Sequence, residues 1–357
     1  MVQLALAAPC EEGSRIGGWA VLICCGVVDE GWDDFSEFGF IHNVLGASLN
    51  VTDLAGARPH SYWGVIYEDS TYFSATSWKT IDKGLQRLPD AIYPLVKSRL
   101  SFGRHVGKST FDPATRKVTL SWKTHWSDKT YKNDTFDYAV VSAPFSIVRG
   151  WRFSPPLPSL IARAVNTLYY GNACKVALHF KTRFWEHLPR PIFGGCSYTD
   201  IPGIRNYCYP SYAVNSTGPG VLLASYATQE RAQLLTSMSD SEHVQLVLDA
   251  VKELHGADLV DREYSGKWSR QCWALDGYAG AAWADPLVGD HKLYIPEYFR
   301  TVNGMVWIGE HTSYTHAWIA SALESAVRGT VQLLLELGLV DEAKVVTKEW
   351  MGRWIRV

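Results

Sequence analysis

The 357 residues predict an α/β (α+β) chain whose two domains interleave along the sequence. Three observations lead there. Strand-like and helical patterns alternate from end to end, with no internal repeat and no low-complexity linker between them. The length suits two domains. The stretch Met305-Val306-Trp307-Ile308, then Gly309-Glu310-His311-Thr312-Ser313, then Ala317-Trp318-Ile319 onward to Ala326 reads as a buried strand, a polar turn and a long helix of small residues.

Taken in order, Trp32 to Asn43 reads as helix and Gly46 to Pro59 as a polar, turn-rich stretch. Residues 87 to 100 suit a helix with Ala91, Ile92, Leu95 and Val96 on one face. The turn Asp112-Pro113-Ala114-Thr115 precedes the alternating strand Val118 to Lys123, and a second strand follows at Tyr138 to Ser142. Leu160 to Tyr169 is expected as helix, Cys174 to Phe180 as strand, and Pro189 to Gly220 as a Gly/Pro/Tyr-rich connection. Val221 to Tyr226 is a strand, and Ser241 to His255 is a helix with Val244, Val247, Leu248 and Val251 along it.

Composition narrows the function classes. Hydrophobic residues at 47% against charged residues at 20% mark a globular chain. A formal net charge of −2 offers no electrostatic case for nucleic acid or an anionic membrane. No apolar run reaches the roughly eighteen residues a membrane-spanning helix needs. The seven cysteines (10, 24, 25, 174, 196, 208, 272) form no Cys-x-x-Cys pair and no metal spacing. Their odd number points to a reducing compartment, and the cytoplasm is the expectation. No Gly-x-Ser-x-Gly elbow, P-loop or His-Glu-x-x-His helix occurs. His311 and His316 flank a turn and define no metal site, so a structural or turn-capping role is expected of them.

Two places carry chemistry. The helix that starts near Trp318 is lined by Ala320, Ser321, Ala322, Ser325 and Ala326, so a planar ligand can approach its free amides closely. Glu310, at the carboxyl end of the strand, is a hydroxyl acceptor suited to a sugar or ribityl chain. Lys175 sits in mid-strand among apolar neighbours, where a buried ammonium is costly unless it has a partner or a role.

The run GEHTSYTHAWIASALESAVRG resembles the C-terminal FAD motif of the flavin amine oxidases, and most of all that of fungal L-amino acid oxidases. Trp78-Lys79-Thr80-Ile81 through Gly84 to Arg87-Leu88-Pro89 resembles the segment that runs close to the flavin. Val140 to Pro144 with Phe153 to Pro158 resembles the return to the substrate domain. Cys174-Lys175-Val176 with Phe184-Trp185-Glu186 resembles the strand of the flavin-facing lysine. The resemblance spans residues 30 to 357, with the motifs in family order.

It implies FAD as cofactor, an L-amino acid or amine as substrate, and a flavin amine oxidase fold with a truncated FAD-binding domain. Residues 1–81 become a helical funnel region, 82–150 and 290–336 the surviving FAD domain, 151–289 the substrate domain, and 337–357 a C-terminal tail. Trp78, Gly84, Val106, Gly309, Glu310, Ala317, Trp318 and Ile319 are implied as cofactor contacts. Lys175 would hold a water against the flavin. Tyr207, Tyr209 and Trp318 would face substrate. The family's opening Gly-x-Gly-x-x-Gly turn is absent from the sequence, as is the early arginine that pairs with the substrate carboxylate. The expectation is therefore a homo-oligomer or a partner that supplies the nucleotide-binding half, with the strands at Val306 to Ile308 and Tyr138 to Ser142 and the first thirty residues as contact surfaces. Three functions are open: an amine or amino-acid oxidase, a cofactor-free pocket acting as a cyclase or isomerase, and a non-catalytic subunit.

Overall fold

The computed structural model describes residues 31–54, 60–62, 80–201 and 204–350. Trp78, Cys10, Cys24, Cys25 and the apolar run at Ile16 to Ile23 lie outside them. The chain divides into two compact units, one holding the residues up to Tyr169 together with those from Ala284 onward, the other Tyr170–Trp283. Helices and sheets mix in both, as the α/β class requires.

The first unit begins with broken helical turns. Trp32–Asp34 is a 3-10 turn, Glu37–Gly39 one α turn and Phe40–Val44 a π turn. The single helix expected here fails because Ser36 is extended and its hydroxyl caps Gly39, which restarts the chain. A short helix α1 (Leu49–Leu54) occupies part of the stretch read as turns. Helix α2 (Arg87–Val96) buries none of its residues, and Leu95 is 81% exposed. Strands β1 (His105–Asp112), β2 (Lys117–Lys123) and β3 (Lys132–Phe136) follow, then β4 (Ala139–Val141), β5 (Arg152–Ser154) and helix α3 (Ser159–Thr167).

The second unit supplies β6 (Ala173–Phe180), β7 (Cys196–Tyr198), β8 (Asn206–Cys208) and β9 (Gly220–Thr228), helices α4 (Gln229–Thr236), α5 (Asp240–His255) and α6 (Ala257–Glu263), and β10 (Tyr264–Cys272). The chain then returns to the first unit with α7 (Asp290–Tyr298), β11 (Met305–Trp307), α8 (Ile319–Glu336) and α9 (Val340–Trp350). Helix α9 stands where a tail was expected.

In the first unit β3-β2-β1-β5 form one sheet, antiparallel except for the β1/β5 pair, and β4 and β11 pair in parallel. Met305, Val306 and Trp307 are all buried, which corrects the expectation that this strand is a contact surface. Of the other expected surface, Tyr138 to Ser142, Val140 at 46% exposure and Ser142 are exposed. Phe145 packs its ring edge-on to Tyr298, Trp307 and His311. Helix α8 reaches the strand through Gly329: a Cβ there would lie 2.3 Å from Ile308 Cγ2.

The second unit is a five-stranded antiparallel sheet in the order β10-β6-β9-β8-β7. Strand β6 alternates, with Val176, Leu178 and Phe180 buried in a core that Val244, Val247 and Val251 of α5 complete. Helix α5 starts with a capping box between Ser239 and Glu242. Two disulfides join directly opposed residues of neighbouring strands, Cys174–Cys272 between β6 and β10 and Cys196–Cys208 between β7 and β8. Disulfides form and persist in oxidising surroundings.

Candidate functional site

In the first unit the turn after β11 is built around one carboxylate. Gly309 has φ +118, and a Cβ there would meet His311 Cε1 at 2.5 Å, so only glycine lets the imidazole fold over the backbone. Glu310 Oε1 accepts from the Ala284 amide at 3.0 Å, and Oε2 accepts from the Ala317 amide at 3.2 Å. Ala317 sits at φ +67, a left-handed conformation that costs a non-glycine residue about 1 kcal/mol or more. The carboxylate bond is what holds it there. Trp318 then adopts an extended N-cap conformation, and its own side chain makes no capping bond to α8. The helix starts with Ile319 and Ala320 exposed and Ser321 and Ser325 buried. Ser325 Oγ accepts from the Gly309 amide at 2.8 Å, and Thr315 and Ser321 share a 2.6 Å hydroxyl bond.

Charges surround this turn. Burial alone would lift the Glu310 carboxyl, but the bond to His316, the charges of His316 and His311 and the Ala284 amide hold it below the usual carboxylate range. Behind it, His316 Nδ1 lies 3.0 Å from the Glu310 carbonyl and 3.6 Å from Oε2, and its Nε2 lies 3.1 Å from Nε2 of His291. His291 Nδ1 in turn lies 3.4 Å from Asp33 Oδ1. Asp33 is 1% exposed and accepts from Ser61 Oγ at 2.7 Å and the Lys292 amide at 3.0 Å. His311 is pushed down to about 4, chiefly by burial, and its Nε2 has no hydrogen-bond partner among the described residues. Arg328, 5% exposed, donates to the carbonyls of Tyr298 (2.8 Å) and Trp307 (2.9 Å) and to Thr312 Oγ1 (2.7 Å), which ties α8 to the turn. Glu324, which accepts from Ser313 Oγ at 3.2 Å, is raised by burial to about 7.

In the second unit Lys175 lies on the sheet face opposite the core. Its ammonium stands 4.3 Å from the centre of the Tyr226 ring and 5.3 Å from that of Trp273. Tyr226 is its cross-strand partner on β9. Rings of this kind attract a cation without taking up its protons. Burial lowers the lysine below its ordinary value. Tyr207 and Tyr209 are placed differently. Both are buried in the core of this unit, 3% and 7% exposed. Tyr209 donates to Tyr207 at 3.0 Å, and both hydroxyls bond His255 Nε2. Where a role toward a substrate carboxylate was expected, these hydroxyls bond one another and His255, and burial raises both phenols.

Of the remaining expected contacts, Gly84 lies in an exposed turn at φ +101, and Val106 is half-buried at the start of β1 beside a bulge. Gly309, Glu310, Ala317, Trp318 and Ile319 do form one turn-and-helix unit. Sequence reading missed Asp33, His291, Glu324 and Arg328. Glu324 and Arg328 were within the quoted helix motif, where a charged residue amid small ones is a burial signal. Asp33 has no such signal, because its partners are distant in sequence, Ser61 by 28 residues and Lys292 by 259. Among the described residues no group of His, Cys, Asp and Glu has the makings of a metal site.

Residues 22–334 match the family model of the flavin containing amine oxidoreductases. An L-amino-acid oxidase of Neurospora crassa is 55% identical over 332 residues, which covers 91% of this chain and 47% of that protein. An L-amino-acid oxidase of Siganus canaliculatus is 35% identical and covers 85% of this chain and 57% of its own length. The chain thus spans about half the length of these relatives. Among solved structures, the cyclohexylamine oxidase from Brevibacterium oxydans superposes with a TM-score of 0.60 at 15% identity, over 89% of this chain and 68% of that one.

Proposed function

Because the chain belongs to the flavin containing amine oxidoreductase family, we propose that it takes part in the oxidative deamination of an L-amino acid, with FAD and oxygen. The observation that carries this is the Glu310 turn. It fixes a strained alanine so that a helix start lined by small side chains stands ready for a planar, electron-rich group. The residues fit the ring and ribityl end of FAD. Glu310 keeps lone pairs beyond its two amide bonds for hydroxyls, and the buried, unpartnered His311 Nε2 offers another polar contact. The phosphate end finds no glycine fingerprint in this sequence.

FAD, when bound, would supply the acceptor for a hydride from the substrate α-carbon and the route for the electron pair to oxygen. The chain's own residues do the rest. Glu310 and the start of α8 bind and orient, with Trp318 beside them as a wall for the substrate. Lys175, held by rings rather than by hydrogen bonds, keeps its protons available to a water. Amino acid, oxygen and water balance to a keto acid, ammonia and hydrogen peroxide, the imine hydrolysing after release.

An absorption spectrum of the purified chain with added FAD, followed by a peroxide assay on a panel of L-amino acids, tests the proposal. Flavin bands that stay with the protein after gel filtration are expected. A colourless protein that stays colourless alone and with the flavin in excess would remove autonomous binding. Sedimentation run alongside asks whether flavin retention coincides with self-association.

A further inference from the structure

At the end of α8 remote from the Glu310 turn, the first unit contains a cavity of about 260 Å³. Three pieces of chain meet there: the β1/β2 turn, the turn that leads into β11, and the last residue of α8. Phe111 and Tyr138 give it an aromatic lining. The Phe111 ring lies against Gly304, where a Cβ would come 3.3 Å from two of its atoms. One cation and one anion share the same cavity, Arg116 and Glu336. Neither side chain makes an ion pair or a hydrogen bond among the described residues, with the other or with anything else. Two opposite charges thus face one space without touching.

Local structure does not account for either charge. Arg116 stands at φ +57, a left-handed conformation that costs a non-glycine residue about 1 kcal/mol or more. Its turn makes no use of the guanidinium. Asp112 ties the turn instead, accepting from the Ala114 amide at 2.9 Å and from the Thr115 hydroxyl at 2.7 Å. Glu336 ends α8, and the last turn of that helix carries no basic residue. A carboxylate there adds to the negative end of the helix dipole, so the place suits a cation. Behind the lining, Gln332 is 5% exposed and donates from Nε2 to Thr301 Oγ1 at 3.1 Å. Its Oε1 has no hydrogen-bond partner among the described residues. Thr301, which lines the cavity, accepts that bond and keeps its own hydroxyl hydrogen to give.

We propose that this cavity binds a small zwitterion, a free α-amino acid with an apolar side chain, whose carboxylate meets Arg116 and Thr301 and whose ammonium meets Glu336. A ligand of single charge would leave one of the two groups uncompensated, and a neutral apolar one would strip water from both. The guanidinium fork matches a carboxylate. The ammonium has three hydrogens for the Glu336 carboxylate and for Asn303 Oδ1, whose Nδ2 already donates to the Pro155 carbonyl at 3.4 Å. Phe111 and Tyr138 are left for the side chain. The volume lies just below the roughly 300–1,000 Å³ of ordinary ligand pockets, so it admits an amino acid and excludes a dinucleotide. Bound there, the ligand would join the Thr301–Gly304 turn to the end of α8, and β11 and α8 flank the Glu310 turn at their other ends. The site uses no residue of the flavin reading and stands without it.

Amide NMR on the full chain, with oxygen excluded to stop turnover, tests the site with L-leucine, L-methionine and L-phenylalanine as probes. At least one should shift the Thr301, Asn303 and Gly304 amides saturably. Arg116→Gln and Glu336→Gln should each weaken that binding at least tenfold. Both side chains are exposed, so the variants should fold, and the wild-type titration needs neither. For the amino acid that binds, two analogues divide the charges. The matching amine lacks the carboxylate and the matching 2-oxo acid lacks the ammonium, and each should bind at least tenfold more weakly. No saturable shift with any of the three probes overturns the proposal. So do shifts that survive both substitutions, or an analogue of single charge that binds as well as the amino acid. FAD retention separates this site from the flavin reading. Saturable shifts in a chain that holds no flavin support the site and remove autonomous flavin binding; flavin bands without the shifts do the reverse.

Discussion

Glu310 in the first unit and Lys175 in the second are held by opposite means. In the first, Glu310 is fixed by directed bonds, one to each carboxylate oxygen, and Arg328 donates to three separate acceptors. In the second, Lys175 is held by two aromatic faces, and the sheet around it is fastened by disulfides and an aliphatic core. Hydrogen bonds fix position and orientation; ring faces hold a charge while leaving its protons unassigned. The turn is thus a scaffold, and the lysine a group free to act. Breaking a scaffold should cost stability first and activity as a result. Removing the lysine should do the reverse.

Arg328 gives the largest test. Arg328→Met keeps the length of the side chain but leaves the Tyr298 and Trp307 carbonyls and the Thr312 hydroxyl without their donor. Each buried group left unpaired costs about 1–3 kcal/mol, so a loss of roughly 3–5 kcal/mol is expected in a urea titration. A change below about 1 kcal/mol would mean that the first unit is not held by its polar clamp. Next comes the second unit's own fastening. Cys174→Ala with Cys272→Ala opens a loop of sequence separation 98 and should cost about 2–5 kcal/mol. If the pair costs nothing, sheet and core suffice without it.

Glu310→Gln is milder and sharper. The amide keeps one oxygen and turns the other atom into a donor, so either Ala284 or Ala317 loses its acceptor. We expect a loss of about 1–2 kcal/mol together with loss of flavin retention. Because the folded carboxyl is held low, its contribution is present above the unfolded carboxylate range and disappears as pH falls through the folded value. Wild type and variant should converge in stability at acid pH. Equal flavin retention in the two proteins would show that Glu310 serves the fold alone.

What the sequence could announce follows the same division. The strand, turn and helix from Met305 to Glu336 were legible because their signals are local: a glycine, a carboxylate and a run of small residues in one stretch. The alternation at Ala173 to Phe180 placed Lys175 on a face of its own. The failures are non-local. The disulfides join residues 98 and 12 apart, set opposite each other only by strand register. Tyr207 and Tyr209 have a local pattern that suits a substrate loop, yet His255 from α5 draws their hydroxyls inward. Asp33 meets His291 and Lys292 across most of the chain. Pattern gives the element; the partner that spends a polar atom comes from the fold.

Lys175→Met gives the smallest effect on stability and the largest on chemistry. The native ammonium is partly stripped of water, and no carboxylate stands among its ring contacts. Burial lowers its proton affinity, so the charged form is the one the folded state disfavours. The sign of the linkage follows. Relative to the unfolded chain, this lysine's favourable contribution exists above pH 10.5 and is lost as pH falls through the lowered folded value. At pH 7 methionine removes that burden and fills similar volume, so the melting temperature should rise by about 1–3 °C. The gain should shrink as the pH approaches 10.5, where the native side chain also loses its charge. Peroxide formation should fall by at least about a hundredfold, the ordinary contribution of a positioned proton-handling group. A variant that melts lower than the native protein at pH 7 would show that the two rings hold the ammonium as a structural cation. A variant that melts higher and still turns over would leave Lys175 with no part in the reaction.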